Sequence, residues 1–191
     1  MSESWKTRLT RVGFNFFPAY RGSGGRLTYV SDDWREVRLA IPLSWRTRNY
    51  VGTTYGGSIY GAIDPVYMIM LIKNLGPEYV VWDKAASIRF LRPGRETLFA
   101  RFLLPEAELT EIRRLADSSR SLDRVYRVEV KSREGALHAT VEKAIYIARK
   151  DRPALKTPVP ASTPFASSLD PVDTTLSASF PASDPPGWTL G

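Results

Sequence analysis

The stretch NYVGTTYGGSIYGAIDP, residues 49–65, holds the residues whose types and spacing could do chemistry. Gly52, Gly56, Gly57 and Gly61 surround a single carboxylate, Asp64, set in an apolar run one residue before Pro65. Paired glycines let a main chain approach another group closely. A carboxylate beside such a surface can attack an electrophile or take a proton from water. Asp64 also has a purely structural reading. Asp-Pro is the signature of a helix start, with Asp as N-cap and Pro at the first helical position. The choice turns on where the helix begins. If it begins before residue 64, Pro65 lies inside it, removes the bond to Gly61 and kinks the chain.

The elements that must position this stretch follow from periodicity. Trp5, Leu9, Val12 and Phe16 recur at helical spacing over residues 4–17, with Lys6, Arg8 and Arg11 beside them. This predicts an amphipathic helix packed by its apolar stripe on its own domain, a membrane-surface role being the weaker alternative. Residues 26–30 and 35–43 read as a hairpin, with Val37, Leu39, Ile41 and Leu43 on one face and Pro42 at a sheet edge or strand end. VYMIMLIKNLG, 66–76, is apolar almost all round and reads as a buried helix closed by Gly76. Strands follow at 80–92, 97–104, 124–132 and 137–149. The third-from-last of these, TLFARFLL, is apolar on both faces and so sits centrally. A helical insertion at 106–117 turns Leu109, Ile112 and Leu115 inward. His138 reads as an ordinary strand residue. An all-round apolar helix needs a curved sheet around it, which makes the chain α+β.

Composition narrows the chemistry. There is no cysteine, so disulfides and thiolate metal sites are excluded, and the single His138 rules out a multi-histidine metal site and disfavours a Ser-His-Asp enzyme. No cofactor is called for. No run of about 18 apolar residues occurs, and the N-terminus lacks a signal-peptide pattern, so we expect a cytoplasmic protein without an integral membrane segment. The net charge is +7, and residues 1–150 hold 25 basic against 16 acidic side chains. Such a surface suits an anionic partner. Nucleic acid is disfavoured, because the aromatic residues do not form a stacking platform interleaved with basic ones. The chain divides into an N-terminal helix and linker (1–24), a folded domain (25–150) and an extended, disordered tail (151–191) with eight prolines and eleven Ser or Thr. Within the tail, SFPASDPPGW (179–188) is a candidate docking segment.

One helix wrapped by an antiparallel sheet is the hot-dog fold, and the central stretch resembles its acyl-CoA thioesterases, including the phenylacetate-pathway type. Their pattern is Asn, then Gly-Thr, then His-Gly-Gly, then Asp. Asn49, Gly52, Thr53, Gly56, Gly57 and Asp64 occupy those places, and Tyr55 stands at the His. FLRPG (90–94) is similar to the family's strand end. The likeness covers about residues 25–149, and its pattern is nearest a branch of mostly uncharacterised proteins.

The resemblance implies that the helix begins near Gly57, and so contains Asp64 and Pro65. It also implies roles. Asp64 activates water, the Gly57 N–H polarises the thioester carbonyl, and Asn49 orients thioester or water. Tyr55 can donate a hydrogen bond but is a poor base at neutral pH. The position that helps place the water is Asp83, which would face Asp64 and raise one carboxyl through like-charge repulsion. Alternatively Lys84 points there, or pairs with Asp83 at the surface. Arg89, Arg92 and Arg95 would hold the phosphates of coenzyme A. The partners implied are an acyl thioester and a second copy, as a homodimer or dimer of dimers. Two other readings stand beside this one. The first is a non-catalytic acyl- or acyl-CoA-binding module. The second is an interaction protein that docks through its tail.

Overall fold

The computed structural model of the protein describes residues 3–151. The chain order is α1 (Trp5–Phe16), α2 (Pro18–Ser23), β1 (Arg26–Val30), β2 (Glu36–Ile41), α3 (Gly56–Leu75), β3 (Tyr79–Phe90), β4 (Leu98–Leu103), α4 (Glu106–Ser118), β5 (Leu122–Lys131) and β6 (Leu137–Arg149). The strands form one curved six-stranded sheet in the order β1-β2-β4-β5-β6-β3, and every neighbouring pair is antiparallel. The tail, with its 179–188 segment, lies outside the described residues.

Helix α3 is the apolar element that the sheet must cover. Ile59, Ala62, Ile63, Val66, Tyr67, Met70 and Leu71 are all buried along it. They pack with Leu39 and Ile41 of β2, Leu98 and Phe102 of β4, and the inward residues of β5 and β6. Full burial of one such side chain is worth about 1.5–3 kcal/mol. The helix begins at Gly56 and continues past Asp64 and Pro65, so Asp64 is not its N-cap. It also lies very close to the turn before β1. A Cβ on Gly25 would sit 2.4 Å from the Ala62 Cβ, so only glycine allows this approach.

Two expectations about facing are corrected. Strand β4 is internal, between β2 and β5. Only its Leu98, Ala100 and Phe102 face is buried, however, while Leu103 on the other face is exposed. In α4, Leu109, Ile112 and Ala116 are the buried residues, and Leu115 is only half-buried.

The larger correction is α1. Its apolar stripe, Trp5, Leu9, Val12 and Phe16, faces solvent. The helix packs inward by the opposite face, where Thr7 is buried, Phe14 packs against the core, and Arg11 and Asn15 bond to β1. The physical reason lies in β1, an edge strand whose outer peptide groups have no strand partner. The Asn15 amide accepts from Leu27 N at 2.8 Å and donates to Leu27 O at 3.0 Å. Glu3, held by Arg11 at 2.7 Å, accepts from Val30 N at 3.3 Å. A polar helix face satisfies an open strand edge, which an apolar one cannot do.

Candidate functional site

Asp64 lies on α3, one turn after Tyr60. Asp83 lies on β3, opposite Ile145 of β6 and beside a bulge between Asp83 and Ala85. Between the two carboxylates stands Lys143. Strand β6 sends Ala139, Val141, Lys143, Ile145 and Ile147 inward in strict alternation, and Lys143 is as fully buried as the aliphatic residues around it, at 0% exposure. A buried ammonium requires counter-charges. Its Nζ donates to Asp64 Oδ1 at 2.7 Å and to the Asp64 main-chain oxygen. It lies 3.0 Å from Asp83 Oδ1. That second contact is an ion pair without hydrogen-bond alignment, since Asp83 Oδ1 is buried and accepts no hydrogen bond. Asp64 keeps 41% of its side chain exposed and Asp83 22%, so the carboxylates form the solvent side of the cluster.

Burial is the chief cause that raises the Asp83 carboxyl above its ordinary range. The nearby Asp64 charge pushes the same way, and Lys143 opposes both. The Tyr60 hydroxyl is also held above its usual value, first by burial and then by its hydrogen bond to Asp64. Tyr60 therefore stays protonated and donates to Asp64. Its ring stacks beneath the Lys143 ammonium, 5.7 Å from ring centre to Nζ.

The glycine pair is placed at the start of α3. Tyr55 is the N-cap residue and gives no side-chain cap. Main-chain N–H groups in the first turn of a helix have no intrahelical acceptor, and Gly57 is one of these. The Tyr55 ring lies over Gly57, where an added Cβ would come within 2.3 Å of it, and the Phe90 ring lies over Gly56 at 2.7 Å. The turn after β3 is tied to the same place, because Thr54 N donates to Gly94 O at 2.8 Å. Arg92 and Arg95 are exposed on and beside that turn, and Arg89 is exposed near the end of β3.

Asn49 is half-buried, and both ends of its amide engage Thr53. Its Nδ2 donates to Thr53 Oγ1 at 2.9 Å and its Oδ1 accepts from Thr53 N at 2.9 Å. It shapes the loop that leads into α3. Lys84 turns away from Asp83 and pairs with Asp123 at 2.6 Å. His138 is buried, with Nδ1 unpartnered, and its main-chain oxygen holds Leu91 N at 2.8 Å.

The structure brings Asp64 and Asp83, the pair that the resemblance set facing each other, to one cluster, through two residues that sequence reasoning missed. Tyr60 carried no distinct signal. Lys143 did: in ATVEKAIYI it is the one charge at an inward position of an alternating strand. Among the described residues, no group of three His, Asp or Glu side chains is placed to hold a metal.

Residues 6–147 match the family model described as a domain of unknown function, DUF4442. No curated protein matches the chain in sequence. Several solved structures share its fold. One is a Pseudomonas aeruginosa protein of unknown function described as a probable thioesterase, 17% identical, with a TM-score of 0.67 over 77% of this chain and 98% of that one. A thioesterase from Haemophilus influenzae is 13% identical, with a TM-score of 0.54 over 78% and 93% of the two chains. A mutant thioesterase from Pseudomonas aeruginosa is 12% identical, with a TM-score of 0.57 over 74% and 93%. At these identities the likeness is one of fold, and that fold is the hot-dog fold.

Proposed function

The chain belongs to the DUF4442 family and has the hot-dog fold, and from that premise we propose that it hydrolyses acyl thioesters, acyl-CoA first among them. The observation that carries this reading is Asp64, a half-exposed carboxylate on the same helix as the glycine pair and anchored by the buried Lys143. Gly57 and Asp64 are seven residues apart, so about 10 Å along the helix axis. That span is too long for Asp64 to attack a carbonyl held by Gly57 of the same chain. It leaves room for a water between them.

Asp64 then takes a proton from water as the water oxygen bonds to the thioester carbon. The carbonyl oxygen becomes negative and is met by the Gly57 N–H, a donor typically worth about 3 kcal/mol of barrier. Collapse breaks the C–S bond, and the departing thiolate recovers the proton from Asp64. Lys143, itself paired with Asp83, holds Asp64 in place, and Tyr60 donates to the same carboxylate. Arg89, Arg92 and Arg95, near the start of α3 through the Phe90 and Gly94 contacts, supply positive charge for the coenzyme A phosphates.

A homodimer fits this reading. Strand β3 is a sheet edge, exposed on both faces from Lys84 to Ser87, with Trp82 and Phe90 exposed as well. An open edge of this length is a template for pairing with a second copy.

One observation favours the second reading, an acyl-CoA-binding module without turnover. Asp64 Oδ1 is already engaged by Lys143, and Asn49 by Thr53. The test is hydrolysis of an acyl-CoA panel by wild type and Asp64→Asn. We expect Asp64→Asn to lower turnover by about 10²–10⁴-fold with acyl-CoA binding retained. Binding without turnover by wild type, or equal turnover by both proteins, overturns the hydrolytic reading.

A further inference from the structure

The outward stripe of α1 is an exposed apolar feature that the site does not use. Trp5 is 69% exposed, Leu9 62% and Phe16 66%, with Val12 and the adjoining Phe17 exposed beside them. Positions 5, 9, 12 and 16 fall on one line along a helix. Contiguous exposed apolar surface of this kind marks an interaction site.

Its chemistry says what covers it. Lys6 flanks the stripe on one side and Arg8 on the other, by helical position. The Lys6 ammonium lies 5.9 Å from the Trp5 ring centre, and the Arg21 guanidinium 5.9 Å from that of Phe16. Beside Phe16 opens a groove whose lining includes Arg21, Arg26 and Arg46 and no carboxylate. On the loop that borders this groove, Trp45 is 83% exposed. Aromatic residues at the edge, basic residues around them and an anion-ready groove complement the headgroup zone of an anionic bilayer. An apolar protein surface would leave the five cations without partners.

We infer that α1 and the adjoining arginine groove form a docking surface for anionic lipid bilayers, with the stripe lying in the headgroup–acyl boundary. Among the described residues, no helix is long and apolar enough to cross a membrane, so the attachment is peripheral. The inverted packing of α1 is what makes this possible: its polar face closes the β1 edge, which leaves the apolar face outward. The inference is independent of the proposed hydrolysis.

The test is co-sedimentation of the full chain with vesicles of phosphatidylcholine, alone or with about 30 mol% phosphatidylglycerol. Binding to the anionic vesicles is expected, falling steeply with added salt and absent on the neutral ones. Trp5→Ser/Phe16→Ser should weaken it by at least about tenfold. Lys6→Gln/Arg8→Gln/Arg21→Gln should weaken it by about fivefold per charge removed. Because these side chains are exposed, melting temperature and far-UV circular dichroism should match wild type. Absence of wild-type binding, or equal binding by well-folded variants, overturns the inference. So does a fall in oligomeric state of Trp5→Ser/Phe16→Ser without lipid, which would mean that a second copy covers the stripe.

Discussion

Replacing Lys143 with methionine tests the centre of the site most directly. The substitution keeps the buried volume and removes the one charge between Asp64 and Asp83. At 2.7 and 3.0 Å, and at an effective dielectric of about 20, the two attractions are worth about 6 and about 5.5 kcal/mol. Most of that sum only offsets the desolvation of a fully buried ammonium, and removing one partner of a buried pair typically costs about 3–5 kcal/mol. The 41% exposure of Asp64 lets water replace part of the lost contact, so we expect about 3 kcal/mol. The assay is urea unfolding, comparing free energies at matched slopes.

The sign with pH is also set. Asp83 is already raised above its reference value of 3.8, and loss of Lys143 raises it further. A carboxyl raised in the folded state favours folding fully below its unfolded value and loses that contribution as pH rises through the folded one. The deficit of Lys143→Met should therefore widen from about pH 4 to neutrality. Adding Asp64→Asn and Asp83→Asn should recover at least about 2 kcal/mol, because no buried charge is then left unpaired. A loss under about 1 kcal/mol, a deficit that ignores pH, or no recovery in the triple variant would refute the reasoning.

Other outcomes follow from the helix ends. Gly57→Ala puts a Cβ 2.3 Å from the exposed Tyr55 ring, which must swing aside. Lost ring packing and gained helix propensity should leave unfolding within about 1 kcal/mol of wild type, while acyl-CoA turnover falls as the displaced ring crowds the Gly57 N–H. Unchanged turnover would remove Gly57 from the proposed site. Glu3 is held below its reference value of 4.5, chiefly by its hydrogen bond from Arg11. Its contribution is present above 4.5 and lost as pH falls through the lowered value. The melting temperature of Glu3→Gln should thus lie below wild type at neutral pH and converge with it in acid; a gap that persists in acid would refute the role given to the carboxylate.

Much of the fold was legible in the chain. The all-round apolar run before Gly76, the alternation of β5 and β6 and the register of the glycine pair with Asp64 each report on one element and its immediate neighbours. Such signals are local, because helical and strand periods are written in consecutive residues. The resemblance carried by that glycine register, rather than periodicity, led to α3 running through Asp64 and Pro65 and to Asp83 beside Asp64. The site was legible only in part. Lys143 is far from Asp64 and Asp83 in the chain, and nothing local says which inward strand position faces a carboxylate.

The sequence by itself determined which residues are apolar, where the strands and most of the helices lie (α2 and the start of α3 excepted), and which metal and disulfide chemistry is excluded. The tertiary structure alone decided which partner each face meets. Periodicity in α1 marks an apolar stripe, but the open peptide groups of the β1 edge claim the opposite, polar face. Periodicity in β6 marks an inward row, but only packing brings Lys143 of that row against two carboxylates. In both places the deciding term is the same: a buried polar group or charge must find its partner across the fold, and that demand outranks local patterning.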